Sequence, residues 1–99
     1  EIAEGVTESV DELIQLTASP NPANDVVNIE YTINGEQYRE VAIYLVNVQG
    51  VKIHTITEQV LLPGSHRFNF DTKNYPSGSY YIVSQVGNII KRFPLSIVK

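Results

Sequence analysis

Residues Gly78–Lys99 read GSYYIVSQV-GN-IIKRFPLSIVK, two apolar, β-branched runs around the dipeptide Gly87-Asn88. Gly and Asn tolerate positive φ, so this pair between such runs predicts a hairpin with a primed two-residue turn. Side chains alternate along a strand. Tyr80, Ile82, Ser84 and Val86 therefore share one face of the first strand, with Tyr81, Val83 and Gln85 on the other. On the second strand Phe93, Leu95 and Ile97 oppose Arg92, Pro94 and Ser96. Pro94 has no N–H to give to a ladder, which puts part of this strand at a sheet edge. With Lys99 just past it, the strand is expected to close the domain without a loose tail.

Working back from the hairpin, the same period of two recurs between regularly spaced turns. Leu13–Ala18 reads as a first strand, ended by Ser19-Pro20-Asn21-Pro22, where two prolines fix φ and force an extended bend. From Asp25 to Ile33, Val27, Ile29, Tyr31 and Ile33 alternate with Asn28, Glu30 and Thr32, a half-buried strand with one wet face. Asn34-Gly35 opens the next turn. Val41–Val48 is apolar on both faces, as a central strand requires, and Gln49-Gly50 turns it back into Val51–Thr57. Leu61-Leu62-Pro63-Gly64 makes a further corner. His66, Phe68 and Phe70 then alternate with Arg67, Asn69 and Asp71, before the last corner at Tyr75-Pro76-Ser77-Gly78.

Seven strands and no helix after residue 12 predict an all-β, immunoglobulin-like β-sandwich of about seven antiparallel strands. An open barrel is the alternative. Ninety-nine residues make one domain with a modest core. The 42% apolar content belongs to a globular chain, and the absence of cysteine excludes disulfides and thiolate chemistry. The opening Glu1-Ile2-Ala3-Glu4 has neither the basic nor the apolar part of a secretory signal and fits a piece of a longer protein. Charge is split along the chain. Residues 1–12 hold five acids and no base, while the other 87 hold six acids and seven bases. Like-charged blocks seldom pack, so residues 1–12 are expected to be an acidic, protease-sensitive linker and residues 13–99 the domain.

Chemistry is sparse. His54 and His66 fall on separate strands without metal-ligand spacing, and His66 shares the Phe68/Phe70 face as a packing residue. Asp25, Glu30, Glu36, Glu40, Glu58 and Asp71 fall at strand ends or on wet faces, where solvation is their role. No nucleophile elbow surrounds a serine, and the glycines are single and at turns. Thus no catalytic residue, metal or cofactor is called for. A net charge of −4 disfavours nucleic acid, although Lys91, Arg92 and Lys99 form a small basic end. Tyr31, Tyr44 and Tyr80 lie in strands, where core packing is their expected use.

Four stretches carry a resemblance. Ser19-Pro20-Asn21-Pro22-Ala23-Asn24-Asp25 before an alternating strand resembles the opening of C-terminal sorting domains of the type IX secretion system. Leu45–Gly50 resembles that family's central strand and its D-x-x-G turn. Asn47 stands where the family usually has Asp; it can make the same side-chain turn bond but brings no charge. Pro76-Ser77-Gly78-Ser79-Tyr80 resembles the family's G-x-Y approach to the penultimate strand, and Lys91–Lys99 its basic, apolar closing strand. The resemblance spans roughly Leu13 to Lys99.

It implies an address rather than a chemistry: export of an N-terminal cargo domain through the type IX outer-membrane translocon. The route would cross the periplasm to the cell surface, where a sortase-like protease removes the domain. Carried over, Pro20, Asn21 and Pro22 shape the first bend, Gly50 makes the central turn, and Gly78 lets the chain into the closing hairpin. Tyr80 anchors the core, and Lys91 and Lys99 belong to the recognised end. The other reading is a fibronectin-like accessory or carbohydrate-binding module of a secreted enzyme, with tyrosines as the contact surface. An apolar last strand at an edge also predicts a weak homodimer at high concentration.

Overall fold

The computed structural model describes residues 14–99, and the linker expected over residues 1–12 lies outside them. Seven antiparallel strands form two sheets: β1 (Ile14–Ser19), β2 (Val26–Ile33), β3 (Arg39–Asn47), β4 (Lys52–Leu61), β5 (Gly64–Asp71), β6 (Gly78–Val86) and β7 (Ile89–Ile97). One sheet has the order β1-β2-β5 and the other β4-β3-β6-β7. Three strands packed on four is an immunoglobulin-like sandwich, with the Greek-key crossings such folds use. The register Val86↔Ile89 leaves Gly87-Asn88 as a two-residue hairpin turn, with Gly87 at φ 59°. β3 lies inside its sheet between β4 and β6, as its two apolar faces demand.

The core lies between the sheets and draws alternate residues from each strand. Ile14 and Leu16, Val27, Ile29 and Tyr31, Val41, Ile43 and Leu45, Tyr80 and Ile82, and Leu95 and Ile97 are all buried. One polar bridge crosses this core. The hydroxyls of Tyr31 on β2 and Ser84 on β6 lie 2.5 Å apart, and both residues are fully buried. Antibody domains join the equivalent two strands by a disulfide. Here a hydrogen bond joins those two strands, which satisfies two hydroxyls that would otherwise be costly to bury.

Two strand readings change. β4 runs on to Leu61 rather than stopping at Thr57, because an edge strand can carry Glu58 and Gln59 without burying either. The connection to β5 is therefore only Leu62-Pro63. Tyr44 is not a core residue. Its register with Val83 and Thr55 puts it on the outer face of the four-stranded sheet, half-buried, with Lys52 Nζ 4.6 Å above its ring. Such a cation–π contact contributes about 0.5–1 kcal/mol at an exposed site.

Candidate functional site

The bend Ser19–Ala23 leaves β1 at the edge of one sheet and crosses to β7 at the edge of the other. Ala23 pairs with Ile97 in parallel: its N–H donates to Ser96 O at 2.8 Å, and its carbonyl accepts from Val98 N–H at 2.7 Å. Asn21 extends this pairing with its side chain. Its Nδ2 donates to Pro94 O at 3.1 Å, and its Oδ1 accepts from Ser96 N–H at 3.0 Å. The amide thus acts as one more strand residue along the lower half of β7. Pro20 and Pro22 flank it, both after cis peptide bonds. Pro94 occupies a position whose missing N–H would point away from β6, so the β6–β7 ladder is intact. The edge read from Pro94 is real, but the chain's own segment covers its lower half.

Replacing Asn21 by Ala should lower stability by about 1–3 kcal/mol, the worth of two net hydrogen bonds of about 0.5–1.5 kcal/mol each. Asn21→Asp, which keeps the acceptor but loses the donor, should fall between. Urea unfolding of the three proteins measures this; an unchanged midpoint for Asn21→Ala would show that the brace carries no stability.

The β3–β4 turn lies at the same end of the sandwich, since Asn47 pairs with Tyr80 across β3 and β6. Asn47 Oδ1 accepts from Gln49 N–H at 2.9 Å and Val51 N–H at 3.0 Å, while Gly50 N–H donates to Asn47 O at 2.9 Å. Gly50 has φ 84°, a region that side chains bearing a Cβ rarely enter. The neutral amide makes both side-chain turn bonds, so the turn itself needs no carboxylate at Asn47.

Tyr80, the third residue of β6, has its ring buried and its hydroxyl donating back to Pro76 O at 2.6 Å. This is the tyrosine corner of immunoglobulin-like sandwiches, which pins the crossing from β5 to β6. Gly78, two residues earlier, is nearly extended, and a Cβ there would meet Tyr80 Cε1 at an ordinary 3.7 Å.

Below this corner sits Thr72, which the sequence did not mark. It is fully buried, and both its N–H (3.0 Å) and its hydroxyl (2.6 Å) donate to Asp25 O. Its own carbonyl accepts from Tyr75 N–H at 3.0 Å and from Lys99 Nζ at 2.7 Å. Lys99 N–H also donates to Ser77 Oγ at 2.9 Å. Lys99 is therefore a clasp on the β5–β6 connection as well as an exposed charge. Lys91 stands apart, opposite Ser84 in the upper half of β7 and half-buried.

Eight of the nine residues singled out from the sequence thus gather at one end of the sandwich: Pro20, Asn21, Pro22, Asn47, Gly50, Gly78, Tyr80 and Lys99. The ninth, Lys91, does not. What the end offers is hydrogen-bonded backbone and one clasped ammonium. Among the described residues no group of three His, Cys, Asp or Glu could hold a metal ion. His54 packs between Phe70 and Tyr75 at 5.9 and 6.0 Å, and His66 Nε2 donates to Leu62 O at 2.7 Å.

A sequence profile of the secretion system C-terminal sorting domain matches residues 18–94. The chain belongs to this family. The match opens one residue before Ser19-Pro20-Asn21-Pro22 and closes at Pro94, so it takes in every singled-out residue except Lys99. No curated protein matches the chain. As a type IX C-terminal sorting domain, it implies a cargo protein, the type IX secretion machinery and a secreted or surface-exposed product. The accessory-module reading loses two of its tyrosines, because Tyr31 and Tyr80 are buried.

Proposed function

We propose that this sandwich is a non-catalytic export signal, engaged by the type IX translocon as a folded domain. In this reading the domain directs its cargo through the periplasm and across the outer membrane. A sortase-like protease then cuts within the acidic stretch 1–12 and leaves the sandwich whole. The match to the sorting-domain family over residues 18–94 is the observation that carries the reading. The geometry supports it: the motifs that make the resemblance build one end of the fold, where a receptor would meet them together. Lys99 contributes its clasp on Thr72 to the shape of that end. Its charge is then only part of its role, and Lys91 contributes from β7.

The test is export of a passenger. Residues 1–99 are fused behind a passenger carrying a periplasmic signal, in a bacterium that has the type IX machinery. The passenger is expected at the cell surface or in the medium, shortened by the size of the sandwich. Passenger held in the periplasm would overturn the sorting reading. Exported but uncut passenger would overturn the protease step alone.

A further inference from the structure

The upper half of β7, Ile89–Phe93, is a strand edge that the chain's own brace does not reach. The lower half fixes its geometry. Pro94 O, Ser96 N–H, Ser96 O and Val98 N–H all bond outward to Asn21 or Ala23. Backbone groups alternate along an antiparallel strand, so Arg92 and Ile90 point their N–H and C=O away from β6 as well. No strand among the described residues pairs with them. The flanking side chains change at the same point. Leu95 and Ile97, beneath the brace, are 2% and 1% exposed. Ile89 and Phe93, on the same face above it, are only half-buried against the core. Ile90 is 53% exposed on the outer face beside Arg92.

We propose that this edge binds an extended segment of another protein by strand addition, with residues alternating between apolar and acidic. A row of unpaired backbone donors and acceptors is complementary to a polypeptide strand. Side chains of the added strand that face the seam meet Ile89 and Phe93, with Lys91 between them, and those set against the two apolar residues are apolar. Those on the outer face meet Arg92 and are acidic. The other edges suit a guest less well. β4 pairs with β3 through two register shifts, which twist and blunt an edge. The strands β1 and β5 flank a polar outer face of Gln15, Thr17, Glu30, Arg67 and Asn69. Placing the partner in the secretion machinery rests on the sorting reading, whereas strand addition itself does not.

Two arms test this. In the first, a short blocked peptide of alternating valine and glutamate is titrated into the 1–99 chain, and amide exchange is followed by NMR. Exchange at Ile90 and Arg92 should slow about tenfold or more with saturable binding, because these N–H groups become hydrogen-bonded. A valine–lysine peptide should do neither. Arg92→Pro removes one outward donor and, like Pro94, spares the ladder to β6. It should abolish binding, with Ile90→Pro as the alternative should Arg92→Pro fail to fold. Arg92→Ala keeps the donor and should still bind, but should lose the preference for glutamate over lysine. No slowing in the unmutated chain, or equal slowing by the lysine peptide, overturns the proposal.

Two further results overturn it. Protection that rises with protein concentration alone assigns the edge to a second copy. Protection present without peptide and lost when residues 1–12 are removed assigns it to the chain's own acidic stretch. In the second arm the passenger fusion carries Arg92→Pro or Arg92→Ala. Export should be lost in the first and kept in the second; equal export by both removes the edge from secretion. Failure of the unmutated fusion would sink the sorting reading and leave the peptide result standing.

Discussion

A chain ending at Arg92 should be unfolded at ambient temperature, with no cooperative transition in urea and a disordered far-ultraviolet circular dichroism spectrum. The deletion takes Phe93, Leu95 and Ile97 from the inner face of β7, the last two almost completely buried. Burial of such side chains stabilises by about 1.5–3 kcal/mol each. It also removes Pro94 and Ser96, so Asn21 and Ala23 lose their partners and the bend after β1 loses its seat. A domain of this size has about 5–15 kcal/mol of stability in total. The losses together match or exceed it. A chain lacking only Val98 and Lys99 is the comparison. It gives up the Val98–Ala23 and Lys99–Thr72 bonds but keeps the core, and should unfold cooperatively at a lower urea concentration. A cooperative transition from the Arg92-terminated chain at the full-length midpoint would show that β7 is not part of the stable core.

The truncation also shows why loss of export on shortening this chain cannot locate a signal. β7 is scaffold before it is anything else. Substitutions that alter one edge group, such as Arg92→Pro against Arg92→Ala, separate the two roles where deletions confound them. Charge reversal at Lys99 is confounded in the same way. A glutamate there would lose the bond to Thr72 O and set a carboxylate against a carbonyl.

The hairpin at Gly87-Asn88, the doubly apolar β3 and the alternating β2 were legible because each is a local pattern. Turn residues and periods of two report on backbone geometry within a few neighbours. Tyr44 was misread for the same reason. Its period fits a strand, but which face of an inner strand meets the other sheet depends on residues far along the chain. The pairing of Asn21 with Pro94 and Ser96, more than seventy residues away, has no local trace. The motif around Asn21 announced a bend and not a brace. Thr72 was invisible too, because a threonine after a strand looks like any loop residue. Only the fold brings Asp25 and Lys99 to it. The open half of β7 emerges only once the covered half is seen.

The second large effect is expected at the bridge between the sheets. Tyr31→Ala removes a fully buried ring and leaves the Ser84 hydroxyl without its partner. Large-to-small changes of this kind cost about 3–5 kcal/mol, a large share of the total. Tyr31→Phe should cost less, about 1–3 kcal/mol, since it orphans one buried hydroxyl. Adding Ser84→Ala to it should recover part of that loss, because removing both partners leaves nothing unsatisfied. The bridge also gives stability a pH dependence. Burial raises the Tyr31 hydroxyl above its ordinary 10.0, and the Ser84 hydrogen bond opposes that only in part. The folded state therefore holds this proton more tightly than the unfolded chain. Its contribution is complete below pH 10.0 and is lost as pH rises through the folded value. Urea unfolding of the unmutated chain and of Tyr31→Phe, at neutral pH and in steps above pH 10.0, isolates it. The gap between the two proteins should narrow with rising pH. A gap that stays constant would show that the tyrosine proton is not what the sandwich holds.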